Sequence, residues 1–204
     1  MRFFGTERAT IELDGYFDPR GLVLPRTAEL ELDADGRARV SLFAFHVDNL
    51  QVVGLPLVRA SYAELLWRVA VRTAGRLAWW VVACDLASRR ARYIAEREIR
   101  YPVRRSEVTV EVDALRCISG GGDLAISLGQ LSEHASPERR GVYTGPRAEW
   151  EVPWADDGSA GRIAPVRVEA DSLGTTTVGM SVTWAPVALV RSGRLHGCGT
   201  SRPR

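Results

Sequence analysis

Residues 61–72 read Ser-Tyr-Ala-Glu-Leu-Leu-Trp-Arg-Val-Ala-Val-Arg, and apolar side chains recur at every second position. A period of two predicts a β-strand, because successive side chains of a strand point to opposite faces. One face of this strand is apolar and indicates a core; it carries Ala63, Leu65, Trp67, Val69 and Val71. The other face carries Tyr62, Glu64, Leu66, Arg68, Ala70 and Arg72. This second face would meet water if the strand were covered on one side only.

The next predicted strand, residues 77–85, indicates that both faces of this hairpin are covered. It reads Leu-Ala-Trp-Trp-Val-Val-Ala-Cys-Asp and is apolar on both faces. A strand that is buried on both faces needs neighbours that are also covered on both faces. We therefore expect Glu64 and Arg68 to point into an enclosed space, where a charge without a partner is costly.

The turn at residues 74–75 predicts which residues of the two strands face each other. A two-residue loop places Glu64 opposite Asp85, and it places Arg68 diagonal to Trp79. Two adjacent carboxylates raise the pKa of one of them, which prepares a general acid or base. Glu64 and Arg68 are separated by about 13 Å along the strand, which leaves room for a small polar ligand. The alternative is an ion-pair network that only stabilises the fold.

The remaining periodicity predicts a mainly β protein (α+β), built as an antiparallel cone-like β-barrel with one short helix. The other strand candidates are residues 27–33, 37–45, 50–55, 107–116, 124–128, 142–152, 162–169 and 175–190, the last broken at Pro186. The helix begins after Ser88, a residue type that caps helices, and ends before Pro102. We find no linker, so residues 1–191 form one predicted domain, and the Gly-, Ser- and Arg-rich residues 192–204 form a predicted flexible tail.

Composition excludes several kinds of chemistry and partner. The chain has 204 residues, and all 27 of its basic residues are arginine, so a reaction that needs a lysine amine is excluded. A net charge of +2 is too small to indicate a nucleic-acid partner. Three widely spaced cysteines predict no disulfide framework, and His196 with Cys198 supplies too few ligands for a metal site. We therefore expect neither a metal nor another cofactor.

The N-terminal residues and the hydropathy indicate a compartment. Residues 1–7 lack the apolar stretch of a signal peptide, and no apolar run approaches the about 20 residues that span a bilayer. We therefore expect a cytoplasmic protein without a membrane partner. The expected partner is a small anionic ligand, and a homo-oligomer remains open.

A series of motifs runs from residue 61 to about residue 108. In order these are Ser61, Tyr62, Glu64 and Arg68 on one strand, a turn at Gly75, an aromatic strand with Trp79 and Trp80 that bends at Asp85, and a helix that closes on Tyr101-Pro102. This quarter of the chain resembles the acetoacetate decarboxylase-like superfamily, and within it an uncharacterised branch. The resemblance implies a cone-like β-barrel with an interior pocket.

The resemblance also implies a departure from decarboxylation. In the decarboxylases of this superfamily, a Pro-Lys-Lys motif follows the helix and supplies the Schiff-base lysine. The present chain reads Pro102-Val-Arg-Arg105, so Val103 stands at the position of that lysine, and Leu66 stands where the family often has asparagine. Arginine cannot replace the lysine, because its guanidinium stays protonated and is not nucleophilic. The fold is expected to carry over, whereas the reaction is not.

We predict that the chain binds or transforms a small carboxylate- or keto-type metabolite in this pocket, without Schiff-base decarboxylation. Glu64 is the predicted catalytic acid or base, and Asp85 is predicted to tune its pKa. Arg68 is the predicted anion clamp. The other predicted binding residues are Tyr62, Arg72 and Trp79. The alternative is a non-catalytic binding protein, or a structural protein with a vestigial pocket.

Overall fold

Strands make up most of the computed structural model, which describes residues 2–24, 28–52, 55–73, 75–96, 102–134, 140–144, 148–153, 161–198 and 200–203. The strands are β1 (Arg2–Phe17), β2 (Glu29–Leu30), β3 (Ala38–Val52), β4 (Leu55–Thr73), β5 (Arg76–Leu86), β6 (Val103–Val110), β7 (Ala114–Ser119), β8 (Gly122–Leu128), β9 (Ser132–His134), β10 (Arg140–Thr144), β11 (Ala148–Pro153), β12 (Gly161–Asp171), β13 (Thr183–Trp184), β14 (Val187–Cys198) and β15 (Thr200–Pro203). Two short helices, α1 (Arg89–Ile94) and α2 (Ser172–Val178), and a 3-10 turn (Pro19–Gly21) complete the elements. No helix in the described ranges is long and apolar enough to cross a membrane.

Nine of the strands close into a barrel, which confirms the predicted fold class. Their order around the barrel is β5, β6, β7, β8, β12, β14, β1, β3 and β4, and β4 pairs with β5 to close it. Neighbouring strands are antiparallel except β5 and β6, which pair in parallel over residues 84–86. Parallel strands need a crossover connection, and the segment that contains α1 supplies it.

One apolar cluster fills the barrel interior. Its large side chains on β1, β3, β4, β7 and β8 include Ile11, Leu13, Phe17, Leu42, Leu65, Trp67, Leu115 and Leu124. Trp67 is fully buried here, as the apolar face of residues 61–72 predicts. Leu173 and Val178 of α2 belong to the same cluster, so α2 packs against the interior side chains.

The helix α1 begins at the predicted residue. Ser88 has an extended backbone, and its Oγ accepts a hydrogen bond from the backbone N–H of Ala91 at 3.3 Å. This bond satisfies one of the N–H groups that the first helical turn leaves without an intrahelical acceptor. Ala91 and Ala95 are buried against the sheet, which explains the small side chains at these positions.

Replacing Ser88 by alanine should lower the free energy of unfolding by about 1 kcal/mol, because the Ala91 N–H loses its acceptor. Denaturant melts of the variant and the unaltered protein measure the difference. Arg89→Ala, at the exposed first residue of the same helix, is the matched control and should stay within about 0.5 kcal/mol. Equal losses in both variants would contradict a capping role for Ser88.

The helix α2 lies in a segment that the alternation pattern predicts as a strand, residues 175–190. The Asp171 carboxylate accepts a hydrogen bond from the N–H of Gly174 at 2.8 Å, which caps the N-terminus of α2. Gly179 follows the helix at φ 78°, a conformation that glycine adopts without strain. The strand prediction is therefore wrong for residues 175–182, because the two caps outweigh the β-propensity of the threonines in α2 and no strand forms before residue 183. Beyond it, β13 and β14 are separated at Pro186, as the pattern predicts.

Strands β10, β11 and β15 extend the sheet beyond the barrel. β10 pairs in parallel with β5 at Trp79 and Trp80, β11 pairs with β10, and β15 pairs with β11. β15 follows β14 along the chain, and β11 also lies close to β14. These three strands therefore run from β5 back toward β14 on the outside of the barrel. The residues from 192 on, for which composition predicts a flexible tail, include the end of β14 and all of β15.

Candidate functional site

Glu64 and Arg68 lie on the face of β4 that points away from the barrel interior. Leu65 and Trp67 fill the interior, whereas the alternate side chains pack in a second cluster formed by β3, β4, β5, α1 and β6. We call this side of the sheet the Glu64 face; its apolar cluster consists of Phe43, Phe45, Val47, Leu66, Val81, Cys84, Leu86, Ala91 and Ala95, with Leu50, Tyr62, Trp79 and Val103 partly buried against it. Glu64 is 7% exposed and Arg68 is 2% exposed. Both are therefore enclosed, as expected, but on the outer wall of the nine-strand barrel rather than in its interior.

A β-bulge at Val82 changes the predicted pairing of β4 and β5. From the turn to the bulge the residue pairs follow the prediction, but beyond it the register shifts by one residue. Glu64 therefore lies opposite Leu86 and not opposite Asp85. Because a shift by one residue reverses the face of every side chain, Asp85 turns into the barrel and Cys84 turns toward Glu64. The predicted pair of facing carboxylates is wrong.

Asp85 accepts four hydrogen bonds and is fully buried. Trp67 Nε1 donates to Oδ2 at 2.9 Å, and Ser106 Oγ donates to Oδ1 at 2.6 Å. Arg104 donates to both oxygens, from Nε at 2.9 Å and from its NH2 group at 2.5 Å. Arg104 also donates to Thr177 Oγ1 of α2 at 2.8 Å. The carboxylate thus joins β4, β5 and β6 and, through Arg104, ties α2 to the barrel.

Glu64 is a buried acid whose described hydrogen-bond partner is a thiol. Cys84 Sγ donates to Glu64 Oε1 at 3.2 Å. Within the described ranges, the ion pairs of the nearby arginines go to other carboxylates. Burial raises the pKa of Glu64 to about 7, and the hydrogen bond from Cys84 acts in the opposite direction. Near neutral pH the side chain is therefore divided between acid and carboxylate, as general acid–base catalysis requires.

Tyr62 is the second titratable side chain of β4 on this face. Its ring meets the ring of Phe45 edge-on, with centroids 6.1 Å apart. Burial raises the pKa of Tyr62 well above its ordinary value, and the nearby charge of Glu64 raises it further. Burial likewise raises the pKa of the Cys84 thiol, and Glu64 again adds to the effect. Both groups therefore keep their protons where Glu64 titrates.

Arg68 contacts a carboxylate, a hydroxyl group and two aromatic rings. Its NH2 group donates to Glu12 Oε1 at 2.5 Å and to Ser41 Oγ at 3.1 Å. Its guanidinium carbon lies 4.6 Å from the ring centroids of both Phe43 and Trp79. These contacts neutralise and fix the guanidinium. A ligand carboxylate that binds Arg68 would therefore have to compete with Glu12.

Of the two remaining predicted binding residues, Trp79 contacts Arg68 and Arg72 does not. Trp79 stacks on Arg68, and its ring centroid also lies 5.2 Å from the guanidinium carbon of Arg39, which is ion-paired with Asp14. Arg72 is exposed and donates to Glu31 at 2.5 and 2.9 Å. The structure thus brings Trp79 next to Arg68 and leaves Arg72 at the surface.

Sequence analysis missed three polar residues of the Glu64 face: Glu12, Ser41 and Cys84. Residues 10–16 read Thr-Ile-Glu-Leu-Asp-Gly-Tyr, and their alternation is the signal that could have placed Glu12 on a strand face. Cys84 is buried, as a small hydrophobe would be, but the bulge gives it a polar partner. Nothing in the alternation of residues 77–85 indicates that bulge.

Val103 connects the site with the resemblance found in the sequence. It pairs with Cys84 across β5 and β6, and its side chain packs against the apolar cluster of the Glu64 face. The position that the resemblance matches to the Schiff-base lysine therefore lies beside the Cys84–Glu64 pair. No three His, Cys, Asp or Glu side chains in the described part of the chain are placed to hold a metal ion.

Solved structures of several enzymes are similar in fold to this chain. Acetoacetate decarboxylase from Legionella pneumophila matches with a TM-score of 0.66 and 13% identity, over 100% of this chain and 87% of that one. An acetoacetate decarboxylase-like enzyme from Sphingomonas wittichii RW1 matches with a TM-score of 0.61 and 13% identity, over 99% and 92%. The enduracididine biosynthesis enzyme MppR, complexed with the condensation product of pyruvate and imidazole 4-carboxaldehyde, matches with a TM-score of 0.60 and 13% identity, over 98% and 88%.

The sequence itself gives no closer relation. No protein-family model and no curated protein matches the chain. At 13% identity the structural similarity establishes the fold and not the reaction. The chain has the fold of the acetoacetate decarboxylase-like enzymes.

Proposed function

We propose that the protein binds a small keto- or carboxylate-type metabolite at the Glu64 face and transfers a proton to or from it. Glu64 is the acid and base of this reaction. The reaction proceeds without an imine, because the sequence contains no lysine. The metabolite is anionic, and the protein acts in the cytoplasm.

This proposal rests on the burial, the hydrogen-bond partner and the pKa of Glu64. It is buried, its described partner is a neutral thiol, and its pKa is raised to about 7. A carboxyl group held only for stability is normally paired with cations and donors, as Asp85 is with Arg104. Glu64 lacks such an arrangement in the described part of the chain, and perturbed acids of this kind are concentrated at functional sites.

The position of Val103 supports the same location. A lysine there would place its amine next to the Cys84–Glu64 pair, where the resemblance implies catalysis in the decarboxylases. The valine removes imine formation but leaves the acid. The chemistry that remains is proton transfer next to a carbonyl: the Glu64 carboxylate takes a proton from the carbon beside the keto group, leaving an enolate, and the acid form returns a proton to that carbon.

Exchange of carbon-bound hydrogen in D2O tests this proposal. Proton NMR of acetoacetate and pyruvate should show faster loss of the hydrogens beside the keto group with the protein than without it. Glu64→Gln should reduce this protein-dependent rate by about 100-fold or more, the usual contribution of a general acid or base. Glu107→Gln, which changes an exposed glutamate of β6, is the matched control and should leave the rate unchanged. Equal rates with the unaltered protein and with Glu64→Gln would exclude the proposed role.

Borohydride reduction in the same mixtures tests the absence of an imine. Mass spectrometry should find no reduced adduct except at the Met1 amine, because no side-chain amine exists. An adduct at any other residue would contradict the mechanism.

The pairing of Arg68 with Glu12 favours a second candidate function, a binding protein without catalysis. The two side chains form an ion pair, so the charge of Arg68 is neutralised without a ligand. In that case small carboxylates should raise the melting temperature while no hydrogen exchange is catalysed. If neither effect is seen, the face is a vestigial site that stabilises the fold.

A further inference from the structure

The bulge at Val82 selects which side chain meets Glu64. In the straight register Asp85 would lie opposite Glu64, and Cys84 would point into the barrel. The extra residue reverses both, so Cys84 reaches Glu64 Oε1 and Asp85 reaches Arg104. Bulges commonly re-aim a side chain next to a functional site. The bulge thus replaces a second carboxylate by a weak, neutral hydrogen-bond donor.

The direction of this hydrogen bond decides which oxygen of Glu64 carries the proton. The thiol keeps its own hydrogen, since burial and Glu64 both raise its pKa. It therefore donates to Oε1, and an oxygen that accepts in this way is the carbonyl oxygen of the neutral acid. With the proton on Oε1, the thiol would face the hydroxyl oxygen of the acid, which is a weaker hydrogen-bond acceptor than the carbonyl oxygen.

We propose that Cys84 is a positioning residue that leaves the acidic proton of Glu64 on Oε2. This inference rests on the proposed function of Glu64 as the proton-transfer group. The hydrogen bond from the thiol to Oε1 fixes the orientation of the carboxyl group, and Oε2 is the oxygen that gives and takes the proton.

The other groups that face Glu64 do not compete for this role. On β4 itself the titratable or charged neighbours are Tyr62, which stays protonated, and Arg68, which is paired with Glu12. β3 contributes Phe43, Phe45 and Val47 together with the Ser41 hydroxyl, which is bound by Arg68. β6 contributes Val103 and, at the exposed position that pairs with Leu86, Arg105, and α1 contributes Ala91 together with the adjoining Ala95. Cys84 is therefore the residue of β5 whose replacement should act on Glu64 most directly.

Infrared spectroscopy of the full chain tests the inference without a substrate. The carboxyl C=O band of protonated Glu64 is assigned by its loss in Glu64→Gln, and its titration is followed from pH 5 to pH 9. In Cys84→Ala the band should move to higher frequency, and its midpoint should rise by about half a pH unit or more, because the donor to Oε1 is gone. Cys84→Ser restores a donor and should return the midpoint to the unaltered value or below it.

The second buried cysteine supplies the control. Cys117 is fully buried in the barrel interior, on the opposite side of the sheet from Glu64. Cys117→Ser should leave both the band and its midpoint unchanged. The inference is overturned if Cys84→Ala leaves band and midpoint unchanged, or if Cys117→Ser moves them equally. Because the readout is the carboxyl group itself, this result is independent of whether hydrogen exchange is catalysed.

Discussion

Replacing Asp85 by alanine should lower the free energy of unfolding by about 3–5 kcal/mol, the usual cost of removing one partner of a buried ion pair. The change leaves the Arg104 guanidinium without its carboxylate, and Trp67 Nε1 and Ser106 Oγ without their acceptor. Trp67 and Ser106 are buried, so water replaces the acceptor that these two donors lose only poorly. Denaturant melts followed by tryptophan fluorescence and by circular dichroism measure the loss.

The exposed pair of Asp35 and Arg37 provides the control. Its atoms are 3.2 Å apart, and the Asp35 side chain is 74% exposed, so Asp35→Ala should change the stability little. A double-mutant cycle with Trp67→Phe then isolates one bond of the network, since phenylalanine lacks the indole N–H. Coupling between positions 67 and 85 is expected because they share a hydrogen bond. Purely additive losses would show that Asp85 does not stabilise the barrel through Trp67.

The sequence predicts the fold correctly where hydrophobic alternation and turn residues indicate the same strand pairing. The alternation of residues 61–72 placed Trp67 in the core, and the two-residue turn set the register as far as the bulge. The helix after Ser88 was marked by its cap. The helix α2 was missed, because its threonines and valine favour strands, whereas the caps at Asp171 and Gly179 determine the structure.

The burial of the site residues could be predicted from the sequence, but their partners could not, partly because nothing in the sequence of β5 marks its bulge. Residues 77–85 are apolar on both faces, so no alternation marks the point at which one residue is inserted. The sequence predicted that Glu64 and Arg68 are buried, because the hairpin is covered on both faces, and the structure confirms this. Their partners did not follow, since Glu12 and Ser41 reach Arg68 from strands far along the chain. Pairing the residues of β4 with those of β5 therefore predicts that Glu64 is buried but does not predict which side chains contact it.

The raised pKa of Glu64 makes the stability of the protein depend on pH in a definite direction. Burial raises the pKa from 4.5 to about 7, so between these values the folded protein holds a proton that the unfolded chain has released. Unfolding is then favoured by rising pH. The stabilisation by this group is complete below about pH 4.5 and is lost as the pH rises through 7. A difference of this size corresponds to about 3 kcal/mol.

Glu64→Gln should abolish this pH-dependent part of the stability. The amide does not titrate, so the free energy of unfolding of the variant, relative to the unaltered protein, should increase by about 3 kcal/mol between pH 4.5 and pH 8. Titration of the other carboxylates is common to both proteins and cancels in this difference. Glu107→Gln, at an exposed position, should give a difference that is flat over the same range. A flat difference for Glu64→Gln as well would mean that Glu64 is ionised throughout, and a group already ionised at pH 5 could not serve as the proton donor that we propose.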